Sequence, residues 1–144
     1  MGFSTTAAFV IIFVASLAVV GLAYSTFYGQ LKDYVYKLKA EREEAIEKAN
    51  TKLEITYLNA TGGLTTHNLT MIVKNSGTTT LNVSKFDLLV DGVLVSFDYN
   101  RSTLYPETSV QINSTDLAGG VNTTHRLKLV ADNGYAIYST YTVS

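Results

Sequence analysis

The chain has 144 residues, a net charge of −1 and no cysteine. That charge offers no basic surface for nucleic acid, and the missing cysteines exclude disulfides, thiol catalysis and cysteine-based zinc sites. A single proline and ten tyrosines suit a twisted, antiparallel, aromatic-rich fold.

The first 28 residues carry no charged side chain, and an apolar run from Ala7 to Tyr24 is broken only by Ser16. At about 1.5 Å rise per residue, residues 5–28 make a helix of roughly 35 Å, enough to cross a bilayer core of about 30 Å. We expect residues 1–28 to be a retained membrane anchor. A secretory signal would start with Lys or Arg, and Gly21-Leu22-Ala23 is only a weak cleavage site. A type IV prepilin would show a basic leader and a glutamate early in the mature helix, and neither stands here. Gly2 and Thr6 match a loose acylation pattern, read as chance because a spanning helix gains little from one acyl chain. Tyr24, Phe27 and Tyr28 suit an interfacial aromatic belt.

Residues 29–50 read as a helical stalk that continues the anchor, rich in Ala, Leu, Glu, Lys and Arg from Leu38 onward. Asp33 with Lys37 and Glu44 with Lys48 have i,i+4 spacing in the favourable order. Leu31, Val35, Leu38, Ala45 and Ala49 fall near one face, but Arg42 interrupts it, so a solvated rod is favoured over a coiled coil.

From Lys52 the hydrophobic period changes to two. Leu53, Ile55 and Tyr57 form the apolar face of a first strand, and Asn59–Gly63 is read as its turn. Leu69, Met71 and Val73 mark a second strand, and Leu81 with Val83 a short third. Phe86–Val90 and Val93–Phe97 flank Asp91-Gly92, a two-residue hairpin signal. Val110 and Ile112, then Leu127 and Leu129, then Tyr135–Val143 after Asp132-Asn133-Gly134, complete seven or eight short strands. The expected fold is mainly β: an immunoglobulin-like antiparallel β-sandwich over residues 51–144, preceded by one transmembrane helix that continues as a stalk.

That β region holds six Asn-x-Ser/Thr sequons, at Asn59, Asn68, Asn82, Asn100, Asn113 and Asn122. Ser and Thr are about a quarter of the region, so chance would give about two, and the excess points to glycosylation on an exported surface. The domain is therefore expected outside the cytoplasmic membrane. Lysines beyond the anchor would place it inside, but acidic neighbours weaken that signal.

Chemistry is sparse. His67 and His125 are the only histidines and are read as surface or strand-edge residues. Asp91 and Asp132 are read as turn residues; with Asp87, Asp98 and Asp116 they form no calcium loop. No phosphate loop or nucleophile motif is present. Neither an enzyme nor a cofactor is expected. Edge or dimer contacts are sought on the Asp91-Gly92 hairpin, at Phe86, Leu88, Val93, Leu94 and Val95.

Met1-Gly2-Phe3-Ser4 opening directly into an apolar anchor, with Ile11-Ile12-Phe13 inside it, resembles the archaellum accessory protein F family (FlaF, also called ArlF). Val73-Lys74-Asn75-Ser76-Gly77, followed by Thr78-Thr79-Thr80-Leu81 and Asp91-Gly92, is similar to that family too. The Lys-Asn-x-Gly-x-Thr pattern also occurs in archaellins and other archaeal surface β-domains. The resemblance implies an archaeal membrane protein of the archaellum motor. It would project its sandwich into the space under the S-layer, bind the S-layer protein, act as a static anchor and form dimers. The single-span accessory protein G is the implied partner. The alternative is a type IV pilin-like or archaellin-like filament subunit; a membrane-tethered enzyme acting on glycans is a remote third reading.

Overall fold

From Gly2 to Asn50 the chain is one α-helix, α1, with no break between the expected anchor and the expected stalk. The structure, a computed structural model, describes residues 2–144, with side chains from Ser4 onward. Met1 and the Phe3 side chain of the opening motif therefore lie outside the described residues. An 18-residue window within Ser4–Asn50 reaches a mean hydropathy of 2.6, long and apolar enough to cross a membrane. The hydroxyls in this segment bond back to their own helix: Ser16 to Ile12 O at 2.8 Å, Ser25 and Thr26 to Leu22 O at 3.0 and 2.9 Å. No polar hydrogen of these three side chains is thus left to lipid.

The chain divides into two compact units, the first ending at Glu43 and the second spanning Glu44–Ser144. In the first, the i,i+4 pairing expected for Asp33 and Lys37 does not close, nor does Glu44–Lys48 in the second; the three ion pairs among the described residues lie elsewhere. Exposed pairs gain little over full hydration, so an open geometry costs almost nothing. Lys32 Nζ instead lies 5.9 Å from the Tyr36 ring centre.

The second unit contains ten strand segments among the described residues: β1 Leu53–Gly62, β2 Thr66–Asn75, β3 Leu81–Asn82, β4 Asp87–Val90, β5 Val93–Val95, β6 Asp98–Tyr99, β7 Thr103–Leu104, β8 Ser109–Ala118, β9 Thr124–Val130 and β10 Ala136–Thr142. They form two four-stranded sheets, ordered β1-β2-β8-β6 and β10-β9-β4-β5, and a small β3-β7 pair. Every pairing is antiparallel. Leu69, Met71, Val73, Val110 and Ile112 of one sheet bury against Leu88, Leu127 and Leu129 of the other. The expected sandwich is observed.

Three local expectations need correction. In β1 the register shifts between Ile55 and Tyr57, so the apolar face changes phase. Leu58 and Ala60 turn inward and Tyr57 is exposed, because a bulge places two residues opposite one. The strand also runs on through Gly62, so the turn follows Asn59–Thr61 rather than containing them. Val83 does not extend β3 but starts a 3-10 turn, Val83–Lys85, whose Ser84 amide is capped by the Asn82 side chain.

The Asp91-Gly92 hairpin forms as expected. Asp91 and Gly92 have φ of +51° and +85°, the left-handed pair that a tight β-turn needs.

Candidate functional site

The sequon asparagines sort by face. On β1, Asn59 alternates with inward Leu58 and Ala60; on β2, Asn68 lies between buried His67 and Leu69; on β8, Asn113 lies between buried Ile112 and Ser114. Asn59 pairs with Thr70 and Thr70 with Asn113, so one row crosses the sheet on its outer face. Asn100, just past edge strand β6, accepts from the Gln111 main-chain amide at 3.0 Å, at the edge of the same sheet. Asn82 and Asn122 sit in connections, both exposed. The β10-β9-β4-β5 sheet contains no asparagine.

The amide groups are used differently too. Asn68, Asn82, Asn100 and Asn113 accept through Oδ1 and leave Nδ2, the atom that carries a glycan, without a partner among the described residues. Asn75 and Asn133, which lie in no sequon, also accept through Oδ1 but engage Nδ2 as well. Asn75 Nδ2 donates to Thr79 O at 2.7 Å and to Leu104 O at 3.4 Å, and Asn133 Nδ2 donates to Thr51 Oγ1 at 2.6 Å.

Of the residues sought for edge contacts, Phe86 and Leu88 are corrected: both are buried core, because each points between the sheets. Val93 and Leu94 are 65% and 63% exposed on edge strand β5, and Val95 is half-buried against the core. In register beside Leu94 lie Leu89, Lys128 and Tyr138, across the outer face of the sheet without sequons. Lys128 Nζ lies 5.6 Å from the Tyr138 ring centre.

The two histidines are also corrected. His67 and His125 are 1% and 8% exposed, and their rings stack with centres 4.8 Å apart. The missed signal is strand phase. His67 shares a face with Leu69, Met71 and Val73, and His125 with Leu127 and Leu129. His67 Nδ1 is 2.8 Å from Gly119 O and its Nε2 is 2.8 Å from Tyr141 Oη. His125 Nδ1 meets Asp91 Oδ2 at 2.7 Å, and its Nε2 meets Thr123 Oγ1 at 2.8 Å. Asp91 is thus more than a turn residue. It also accepts from the Arg126 amide at 2.8 Å, and this bond, then His125, holds its carboxyl below the usual carboxylate range. Burial, aided by the Asp91 charge, pushes the Tyr141 phenol up to about 12.

Every ring nitrogen in this cluster faces a protein partner, so its imidazoles are committed to the fold and not to a ligand. Asp132, read as a turn residue, accepts from the Asn82 amide at 2.9 Å. No group of three His, Cys, Asp or Glu that could hold a metal ion occurs among the described residues.

A family model for archaeal-type flagellin matches residues 2–144, helix and sandwich together. The chain belongs to the archaeal-type flagellin family. It is a component of the archaellum, and the family is structural, not enzymatic. No curated protein sequence matches it significantly. Among solved structures, the archaellum periplasmic stator protein FlaG from Sulfolobus acidocaldarius is similar at 20% identity and a TM-score of 0.51, over 63% of this chain and 99% of that one. The archaeal flagellum of Methanospirillum hungatei strain JF1 is similar at 16% identity and a TM-score of 0.70, over 93% of this chain and 90% of that one. The archaellum periplasmic stator protein complex FlaF and FlaG from Sulfolobus acidocaldarius matches at 20% identity and a TM-score of 0.50, covering 63% of this chain and 89% of that one. At these identities the likeness is one of fold.

Proposed function

We propose that this chain is a membrane-anchored, FlaF-type stator component of the archaellum, whose outer sandwich binds the S-layer protein. The observation that carries the reading is the change of character along α1. No charged side chain occurs before Lys32, whereas Lys32, Asp33, Lys37, Lys39, Glu41, Arg42, Glu43, Glu44, Glu47 and Lys48 follow in quick succession. A helix apolar all round suits lipid. From Leu31 onward charges cover most of the surface and leave an apolar stripe of Leu31, Val35, Leu38, Ala45 and Ala49, which Arg42 interrupts, so that part suits water. A subunit packed along its whole helix in a filament core would need the apolar surface to continue. In this reading residues 1–28 anchor, residues 29–50 form the stalk and residues 51–144 dock. The resemblance of the Val73–Gly77 stretch and the similarity to the FlaF–FlaG complex favour a FlaG-type protein as co-partner, with a homodimer as the working unit.

The sequons support an external domain. Purified from its native membrane, the chain is expected to carry glycan at several of Asn59, Asn68, Asn82, Asn100, Asn113 and Asn122, and none at Asn75 or Asn133. Glycopeptide mass spectrometry reads this directly, and a chain bare at all six would remove the argument for outward orientation.

The filament-subunit alternative has an observation of its own: the archaeal flagellum match extends over 93% of this chain, helix included. Binding decides between them. Full-length chain in nanodiscs is titrated with purified S-layer protein, and sheared filaments are probed for the chain. Saturable binding with clean filaments is expected; recovery in filaments without S-layer binding would sink the stator reading.

A further inference from the structure

The stacked histidines close one end of the sandwich, and their hydrogen bonds accommodate one added proton better than two. That end is stitched by backbone: Gly119 donates to Thr65 O, Val121 to Gly63 O and Asn122 to Val143 O. Beneath these loops His67 of β2 reaches Tyr141 of β10 and stacks on His125 of β9, so the contacts cross between the sheets. Both loop tips carry exposed apolar side chains, Leu64 and Val121.

The proton positions follow from what each partner can do. Gly119 O is an acceptor only, so His67 Nδ1 carries hydrogen. Neutral His67 then accepts at Nε2 from the Tyr141 hydroxyl, which has no other hydrogen-bond partner among the described residues. A proton added at Nε2 would meet that hydroxyl oxygen and leave its own hydrogen without an acceptor. His125 differs. Its Nδ1 donates to the Asp91 carboxylate, and a proton at Nε2 is accepted by Thr123 Oγ1. The Thr123 hydroxyl then donates to Gly120 O, 2.5 Å away. The charged groups facing the pair are Asp91 and, beside it, Arg126; none of those named faces His67 with negative charge.

We propose that the His67–His125 pair is a proton-sensitive latch on the loop end of the sandwich, holding one proton at His125 against Asp91 and released by a second at His67. Release would part the β1–β2 and β8–β9 loops while the core strands stay paired. A second proton, at His67 Nε2, would face the Tyr141 oxygen and leave the phenol hydrogen without an acceptor, so acid weakens the closed end. This holds for a stator and for a filament subunit alike.

The test is hydrogen exchange with mass spectrometry on full-length chain in nanodiscs, corrected for the intrinsic pH dependence of exchange. From about pH 7.5 to about pH 5, protection in Gly63–His67 and Gly119–His125 is expected to fall about tenfold or more, while Val110–Ile112 and Asn75–Gly77 hold steady. His67→Gln is expected to remove this pH dependence. A flat wild-type profile, or the same fall in His67→Gln, overturns the latch. Should His67→Gln not fold, His125→Gln decides. Without the first charge the opening should move to lower pH, and an opening that does not move overturns the proposal.

Discussion

At the end of the sandwich where the chain leaves α1, neutral groups do the fastening. Asn75, fully buried, bonds Thr79 O and Leu104 O and accepts from the Gly77 amide, while Ser76 and Gly77 amides bond Lys52 O. A Cβ at Gly77 would strike the Asn50 carbonyl, so only glycine lets the loop lie against the chain after the helix. At the opposite end His67, His125, Tyr141 and Asp91 do the same job with groups that titrate. The first end ties β2 to β7 and to the chain before β1 through amides and carbonyls, whereas the second ties the two large sheets through groups that titrate. Amides keep their donors and acceptors at any ordinary pH, whereas imidazole, phenol and carboxylate exchange theirs.

Breaking the neutral end should have the largest effect. Asn75→Ala removes three hydrogen bonds and strands buried groups, at a cost of about 3 kcal/mol. Urea unfolding should show this loss equally at acid and neutral pH; a loss that varies with pH would erase the contrast between the ends.

At the other end, Gly119 has φ of +113° and a Cβ there would enter the His125 ring. Gly119→Ala is expected to cost about 2–3 kcal/mol, and its extra exchange should be confined to the loop end.

Tyr141 sharpens the comparison from the alkaline side. Its phenol titrates near 12 against an ordinary 10.0. The folded chain holds that proton more tightly, so the contribution is complete below about pH 10 and is lost as pH rises toward 12. It amounts to about 2 kcal/mol. Tyr141→Phe should flatten this part of the stability curve.

Asp91 has the smallest expected effect. Its depressed carboxyl stabilises above the ordinary carboxylate range, and that contribution fades as pH falls below about 4. The side chain is half exposed, so Asp91→Asn is expected to cost under about 1 kcal/mol at neutral pH. If instead the loss exceeded that for Asn75→Ala, the ranking of the two ends would be reversed.

Much of the architecture was legible because its signals are local. The uncharged run before Lys32, the Asp91-Gly92 turn and the alternation of Leu69, Met71 and Val73 each report on residues close in sequence. The histidines were misread by residue type when their phase with Leu69 and Leu127 already pointed inward. The burial of Phe86 and Leu88 was harder to see, since β4 and β5 are apolar on both faces and only packing shows which face is covered. The bulge in β1 left no clear trace, because it depends on how β1 meets β2.

The sequence by itself determined the long helix, the β-rich domain, the hairpin and the sequon positions, since helix length, strand period, turn chemistry and glycan acceptor patterns are properties of short stretches. Only the tertiary structure decided that the sequons at Asn59, Asn68 and Asn113 share one sheet face, that the other sheet carries none, and that His67 meets His125 and Tyr141. The partners of His67 lie 52 and 74 residues away along the chain, and a contact over such separations exists only once both sheets have closed on one core.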